Sequence, residues 1–216
     1  MGWDRSKPLC LVGMSGVGKS YWSRLLCETH GFSHLDCDQL IAARLGELIV
    51  PEPGERAVHA VGRWMGMPWT KNFAEHEAQY LELEAEITDQ ALSQALDDMK
   101  SNRQVLDTTG SVVHLPEALQ HKLRQHSYVV YLRMPPSEHR RMLELYLAEP
   151  KPVVWQSLFS KKASEGDREA LLRCYPQLLK ERDLRYSRLA EDIIDAQQLS
   201  GMDATHFLKR IESSNA

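Results

Sequence analysis

Cysteine is scarce in this 216-residue chain: Cys10, Cys27, Cys37 and Cys174 form no C-x-x-C pair and have no histidine at zinc-ligand spacing. That excludes a disulfide framework and a zinc fold, and leaves unpaired packing thiols in a reducing cytoplasm as the expectation. Long apolar runs are missing as well. No stretch approaches the roughly 20 residues of a membrane span, and Leu9–Val12, behind the polar Met1–Lys7, is too short for a signal-peptide core. Blocks of like charge are absent, with 26 Lys and Arg against 30 Asp and Glu and a formal net charge of −4. Neither nucleic acid nor a membrane surface is therefore an expected partner. There is no internal repeat and no low-complexity stretch. What is present, 43% hydrophobic and 26% charged residues, is the composition of a globular protein with a proper core. The length favours one domain over residues 1–216 with an appended lid.

Short apolar runs bounded by turn residues predict strands at Pro8–Val12, Phe32–Leu35, Gln104–Leu106, Tyr128–Leu132 and around Ile193 and Ile194. Helix-length segments separate them. Ser20–His30 stops at Gly31 and Asp38–Leu45 at Gly46, both as left-handed caps; Phe73–Met99 carries one apolar face; Pro116 opens another helix. Such alternation predicts an α/β fold with a parallel sheet covered on both faces. Two segments interrupt it. Residues 47–71, with Trp64 and Trp69, predict a helical excursion over one end of the sheet, and 150–168, with Lys151, Lys161, Lys162 and Arg168, predict an exposed basic lid loop.

The strongest signal is Gly13-Met14-Ser15-Gly16-Val17-Gly18-Lys19-Ser20, a full G-x-x-x-x-G-K-S placed between a predicted strand and a predicted helix. Its glycines let successive backbone N–H groups point at a polyphosphate, and the helix N-terminus adds a positive dipole end. Lys19 is then expected to reach the β and γ phosphates of ATP, and Ser20 to ligate magnesium (Mg2+). Asp36-Cys37-Asp38 ends the second strand, where ligands of parallel sheets bind, and strand alternation points Asp36 and Asp38 to the same side. One carboxylate could hold magnesium through water while the other accepts a proton from an attacking hydroxyl; the plain alternative is that Asp38 only caps the next helix. Asp107, ahead of Thr108-Thr109-Gly110-Ser111, is expected to be a second magnesium-orienting acid, with Gly110 giving close approach; a simple turn is the rival reading.

These motifs, with Val105-Leu106-Asp107-Thr108-Thr109-Gly110 and Glu181-Arg182-Asp183-Leu184-Arg185-Tyr186, resemble shikimate kinase in order and spacing from Leu9 to Ile194. The resemblance implies five parallel strands in the order 2-3-1-4-5, a nucleoside-monophosphate-kinase-like arrangement, with a mobile lid. It implies that Asp38 contacts the acceptor hydroxyl, Asp36 helps hold magnesium, Arg182 binds the acceptor carboxylate and Lys151 replaces a lid arginine. Three departures accompany it. The family's F-R-x-x-E, laid on Phe73-Ala74-Glu75-His76-Glu77, keeps Glu77 and loses its arginine to Ala74; the glycine triplet becomes Thr109-Gly110-Ser111; and the insert from Arg56 to Lys71 has no counterpart.

The expected activity is transfer of the γ-phosphoryl group of ATP to a hydroxyl of a small polar, carboxylate-bearing acceptor bound by Asp38, Glu77, Thr109, Gly110 and Arg182, in a monomer or weak homodimer. Gluconate-type and nucleoside or nucleotide kinases share such a loop, and a nucleotide-binding regulatory module without turnover is the rival of another class.

Overall fold

The chain is described from a computed structural model covering residues 2–214; Met1, Asn215 and Ala216 lie outside the described residues. Strands β1 (Leu9–Val12), β2 (Ser33–Asp36), β3 (Gln104–Asp107), β4 (Tyr128–Arg133) and β5 (Asp192–Asp195) form one parallel sheet in the order β2-β3-β1-β4-β5. β1 is central, and all four of its residues are buried. The side chains of a strand alternate between the two faces, so Leu9 and Leu11 enter one core and Cys10 and Val12 the other. Helices α1 (Lys19–His30) and α8 (Ala204–Glu212) cover the first face, where Trp22 stacks on Phe207 at 4.6 Å. On the second face lie α2 (Cys37–Leu45), α4 (Phe73–Asp98), α5 (Glu117–His126) and α7 (Asp167–Leu189).

Gly31 closes α1 in the left-handed region, at φ 66° and ψ 31°. Gly46 does not repeat that cap. Its φ is 50° but its ψ is −119°, and the chain runs on through a 3-10 turn over Gly46–Leu48.

Within 47–71 the chain forms α3 (Ala57–Met65), whose inner residues Ala60, Val61 and Met65 are buried. Both tryptophans of this segment are packing residues: Trp64 stacks on His76 at 4.6 Å, and Trp69 tilts against Phe159 at 6.0 Å. Residues 150–168, expected as an exposed loop, follow α6 (His139–Ala148) as a strap with a buried centre. Val154 and Trp155 are fully buried, and the Trp155 indole packs among Tyr146, Phe159 and Tyr175. The apolar Val-Val-Trp run outweighs the flanking lysines, because burying Val154 and Trp155 with Val153 packed partly beneath is worth more than hydrating the backbone between them.

The insert and the strap meet at Gly62. A Cβ there would lie 2.4 Å from the Pro150 carbonyl oxygen and 2.8 Å from Lys151 Cα, both backbone atoms. Gly62→Ala should therefore push the strap off α3 and lower stability by about 1–3 kcal/mol, the usual range for an overpacked contact. Urea unfolding checks this; an unchanged midpoint would show that the contact yields freely.

Candidate active site

The phosphate loop leaves β1 at Gly13 and enters α1 at Lys19. Gly13 has φ 143°, and a Cβ on it would sit 2.6 Å from the Leu132 carbonyl oxygen, so both conformation and space demand glycine. Gly16 and Gly18 also have positive φ, at 84° and 106°. The Val17 N–H donates to the Met14 carbonyl at 3.2 Å and closes the loop, and Lys19, 6% exposed, donates from Nζ to the Gly13 carbonyl at 3.0 Å. Ser20 stands in the first turn of α1 and lines an open cleft with Asp36, Asp38 and Arg56.

The two aspartates are divided differently from the strand alternation expected for Asp36-Cys37-Asp38. β2 stops at Asp36, and α2 begins at Cys37, which is buried. Asp36, not Asp38, is the N-cap, its Oδ1 accepting the Gln39 N–H at 3.0 Å. Asp38 is left free in the first turn, lining the cleft while walled by protein. Desolvation raises its pKa to about 6, with Asp107 and Asp36 adding to the rise and Lys19 and Lys151 opposing it.

Across the phosphate loop, Ser15, Gly16, Gly110, Lys151 and Arg182 line a separate cavity of about 160 Å³. Desolvation, followed by the neighbouring Arg56, lowers the Lys151 pKa, so the strap cation is held close to other positive groups. Arg182 is 5% exposed and donates from Nη1 to the Gly110 carbonyl at 3.1 Å and from Nη2 to the Val154 carbonyl at 2.8 Å, while its Nε is buried without a partner. Tyr186 donates to the same Gly110 carbonyl at 2.5 Å. Gly110 does allow a close approach, but its nearest neighbour is the phosphate loop: a Cβ would lie 3.2 Å from the Ser15 nitrogen.

Glu77 is elsewhere. Its Oε1 accepts the backbone N–H groups of Trp155 at 2.5 Å and Gln156 at 3.0 Å, so it caps the strap. Thr109 is committed too, its hydroxyl donating to Glu84, which also accepts from the Ser111 hydroxyl at 2.7 Å. Glu84 is fully buried, and sequence reasoning missed it. The signal was present: Tyr80-Leu81-Glu82-Leu83-Glu84 repeats the aromatic-x-x-x-Glu spacing of Phe73–Glu77 two turns later on α4, with Leu81 where the arginine would stand. Burial raises the Glu84 pKa to about 7, against the two hydroxyl donors and the nearby Arg182.

A strand-loop-helix phosphate cradle on a five-stranded parallel sheet of order 2-3-1-4-5, with an acidic strand end beside it, defines a P-loop kinase fold. The chain belongs to the shikimate kinase family: the family model described as Shikimate kinase matches residues 59–212. The structure is similar to shikimate kinase from Acinetobacter baumannii in complex with shikimate, at TM-score 0.60 and 23% identity over 97% of this chain and 94% of that one. It is also similar to shikimate kinase from Bacteroides thetaiotaomicron, at TM-score 0.59 and 20% identity over 94% and 95% of the two chains. Dephospho-CoA kinase from Campylobacter jejuni shares the fold at TM-score 0.51 and 12% identity over 96% and 98% of the two chains. In sequence, the chloroplastic shikimate kinase of Solanum lycopersicum is 50% identical over 42 residues, which span 19% of this chain and 14% of the relative. No helix among the described residues is long and apolar enough to cross a membrane.

Glu84 gives this site a pH signature. Its folded-state pKa of about 7 lies above the ordinary glutamate value of 4.5. The folded chain therefore holds its proton longer than the unfolded chain, and the stability gained below pH 4.5 is lost as pH rises through about 7. Glu84→Gln should flatten that decline. Urea unfolding at pH 5 and pH 8 is the check, and equal losses in both proteins would place the titrating group elsewhere.

Proposed function

We propose that the chain transfers the γ-phosphoryl group of ATP to a hydroxyl of a small polar acceptor bearing a carboxylate. The observation that carries this reading is Asp38: with Asp36 doing the capping, its carboxylate is free in the same cleft as Ser20 of the phosphate loop. A raised pKa of about 6 suits a group that must accept a proton near neutrality. The regulatory-module reading would be favoured by Asp38 as a buried cap, but the capping contact is made by Asp36.

The loop N–H groups would bind the phosphates and Lys19 would leave the Gly13 carbonyl to neutralise the transferring group. Ser20, Asp36 and Asp107 fit a magnesium ion, since Asp107 Oδ2 is buried without a hydrogen-bond partner and Asp107 pairs across the strands with Asp36, which lines the cleft with Ser20. When bound, magnesium neutralises charge building between the β and γ phosphates. Asp38 would orient the acceptor hydroxyl and take its proton. Arg182 anchors the Gly110 turn and the strap through two backbone carbonyls, and its remaining donors are those available to an acceptor carboxylate. Lys151 would supply point charge from the strap but no bidentate fork. Shikimate is the first acceptor to test, because one structural neighbour is in complex with it. The loss of arginine at both Ala74 and Leu81 supports an acceptor site altered from that of the family.

ATP consumption with magnesium, measured against shikimate, other hydroxylated acids, sugar acids and nucleosides, tests the reading. Lys19→Ala should lower turnover about 10²–10³-fold, the usual cost of losing a charge-stabilising donor, and more than Lys151→Ala. The wild-type rate should rise with pH through about 6 as Asp38 ionises, and Asp38→Asn should remove that limb. Full turnover in Lys19→Ala, or tight ATP binding with no product from any acceptor, would overturn the proposal.

A further inference from the structure

The cleft that holds Ser20, Asp36 and Asp38 takes much of its lining from segment 47–71, which contributes Ile49, Pro51, Arg56, Ala57 and Val58. Its volume of about 520 Å³ is that of a small-molecule site. The lining carries two carboxylates, Asp36 and Asp38, and one cation, Arg56. A ligand bearing negative charge would be repelled by the two acids unless a cation met that charge.

Arg56 is uncommitted. It stands exposed just ahead of α3 and, among the described residues, makes no hydrogen bond or ion pair. The acid beside it in sequence is taken: Glu55 accepts from Arg63 at 2.5 Å and 3.1 Å and from the Glu52 N–H at 2.8 Å. Lys151 stands close enough to feel the Arg56 charge, which adds to burial in lowering the Lys151 pKa. Two like charges near one another, with no carboxylate bonded to either, favour an anionic guest. The other arginine of the site is engaged, since Arg182 donates Nη1 and Nη2 to backbone carbonyls and lines the separate cavity. On α4, Ala74 and Leu81 stand where the family spacing would put arginine.

We propose that Arg56 is a specificity-determining residue that grips the carboxylate of the acceptor, while Asp38 holds the hydroxyl that receives the phosphoryl group. A guanidinium offers a planar fork that meets a carboxylate through two parallel N–H donors, which a lysine cannot do. The insert thereby supplies, from the start of α3, the arginine that α4 lacks. The acceptor is then a small hydroxy acid whose carboxylate and reacting hydroxyl touch Arg56 and Asp38 at once. The inference deepens the kinase reading and rests on it for the fate of the hydroxyl, but its test reads binding, so the two can fail separately.

The test titrates the full chain calorimetrically, with MgADP present, against shikimate, quinate and gluconate and against the neutral amide of each. At least one acid should bind about ten-fold more tightly than its amide. Arg56→Leu should erase that preference by weakening the acid alone, about ten-fold, with amide binding, MgADP affinity and melting temperature kept. Arg56→Lys, which retains the charge without the fork, should recover part of it. An acid preference that survives in Arg56→Leu, or acid and amide weakened alike, would overturn the assignment. So would a wild-type chain that binds none of the three acids. Arg56-dependent binding of an acid that is never phosphorylated would keep this inference and remove the kinase reading, and phosphorylation of an acid whose binding ignores Arg56 would do the reverse.

Discussion

The Gly110 carbonyl is where the pieces of the site are tied together. It accepts the Tyr186 hydroxyl at 2.5 Å and Arg182 Nη1 at 3.1 Å, while Arg182 Nη2 reaches the Val154 carbonyl of the strap. On its other side the glycine approaches the Ser15 nitrogen so closely that a Cβ would stand 3.2 Å away. One residue thus joins the turn after β3, helix α7, the strap and the phosphate loop. Charge-assisted bonds from a buried guanidinium are strong, and removing it would take the side-chain donor from the Val154 carbonyl and leave the Gly110 carbonyl to Tyr186 alone. Arg182 is therefore a structural keystone before it is a contact for any ligand.

The charge balance around that tie differs from what a second arginine on α4 would give. Leu81 and Ala74 supply no cation, so Glu84 relies on the Thr109 and Ser111 hydroxyls. Hydroxyl donors compensate a buried carboxylate less than a guanidinium does, which is why burial still raises the Glu84 pKa to about 7. Neutral hydroxyl donors, not a cation on α4, thus meet this buried carboxylate. Cations reach the site from other directions, Lys151 on the strap and Arg56 just before α3, and burial, with Arg56 adding to it, lowers the Lys151 pKa.

Much of this was legible in the sequence. The phosphate loop, its flanking strand and helix, and all five strands follow from apolar runs bounded by turn residues, within a residue or two of their ends. The register of α4 was not legible, for a definite reason. Phe73–Glu77 and Tyr80–Glu84 are seven residues apart, nearly two full turns, so both project from the same helix face and periodicity treats them as equal. They differ by about 10 Å along the axis, and only tertiary packing decides which carboxylate meets Thr109 and which meets the strap. The division of labour between Asp36 and Asp38 was hidden for a similar reason, because period-two alternation fails where a strand passes directly into a helix. The buried strap was masked by its lysines, which flank an apolar Val153-Val154-Trp155 centre.

The insert gives the strap a second anchor. Lys151 follows a proline whose carbonyl lies against Gly62 of α3, and Glu77 of α4 accepts the backbone N–H groups of Trp155 and Gln156 in the strap. Any motion of Lys151 that keeps these contacts must carry α3 with it. Arg56 sits just before α3 and lines the cleft with Asp38. Arg56 on the cleft and Lys151 on the strap are thus coupled through one backbone contact between α3 and the strap.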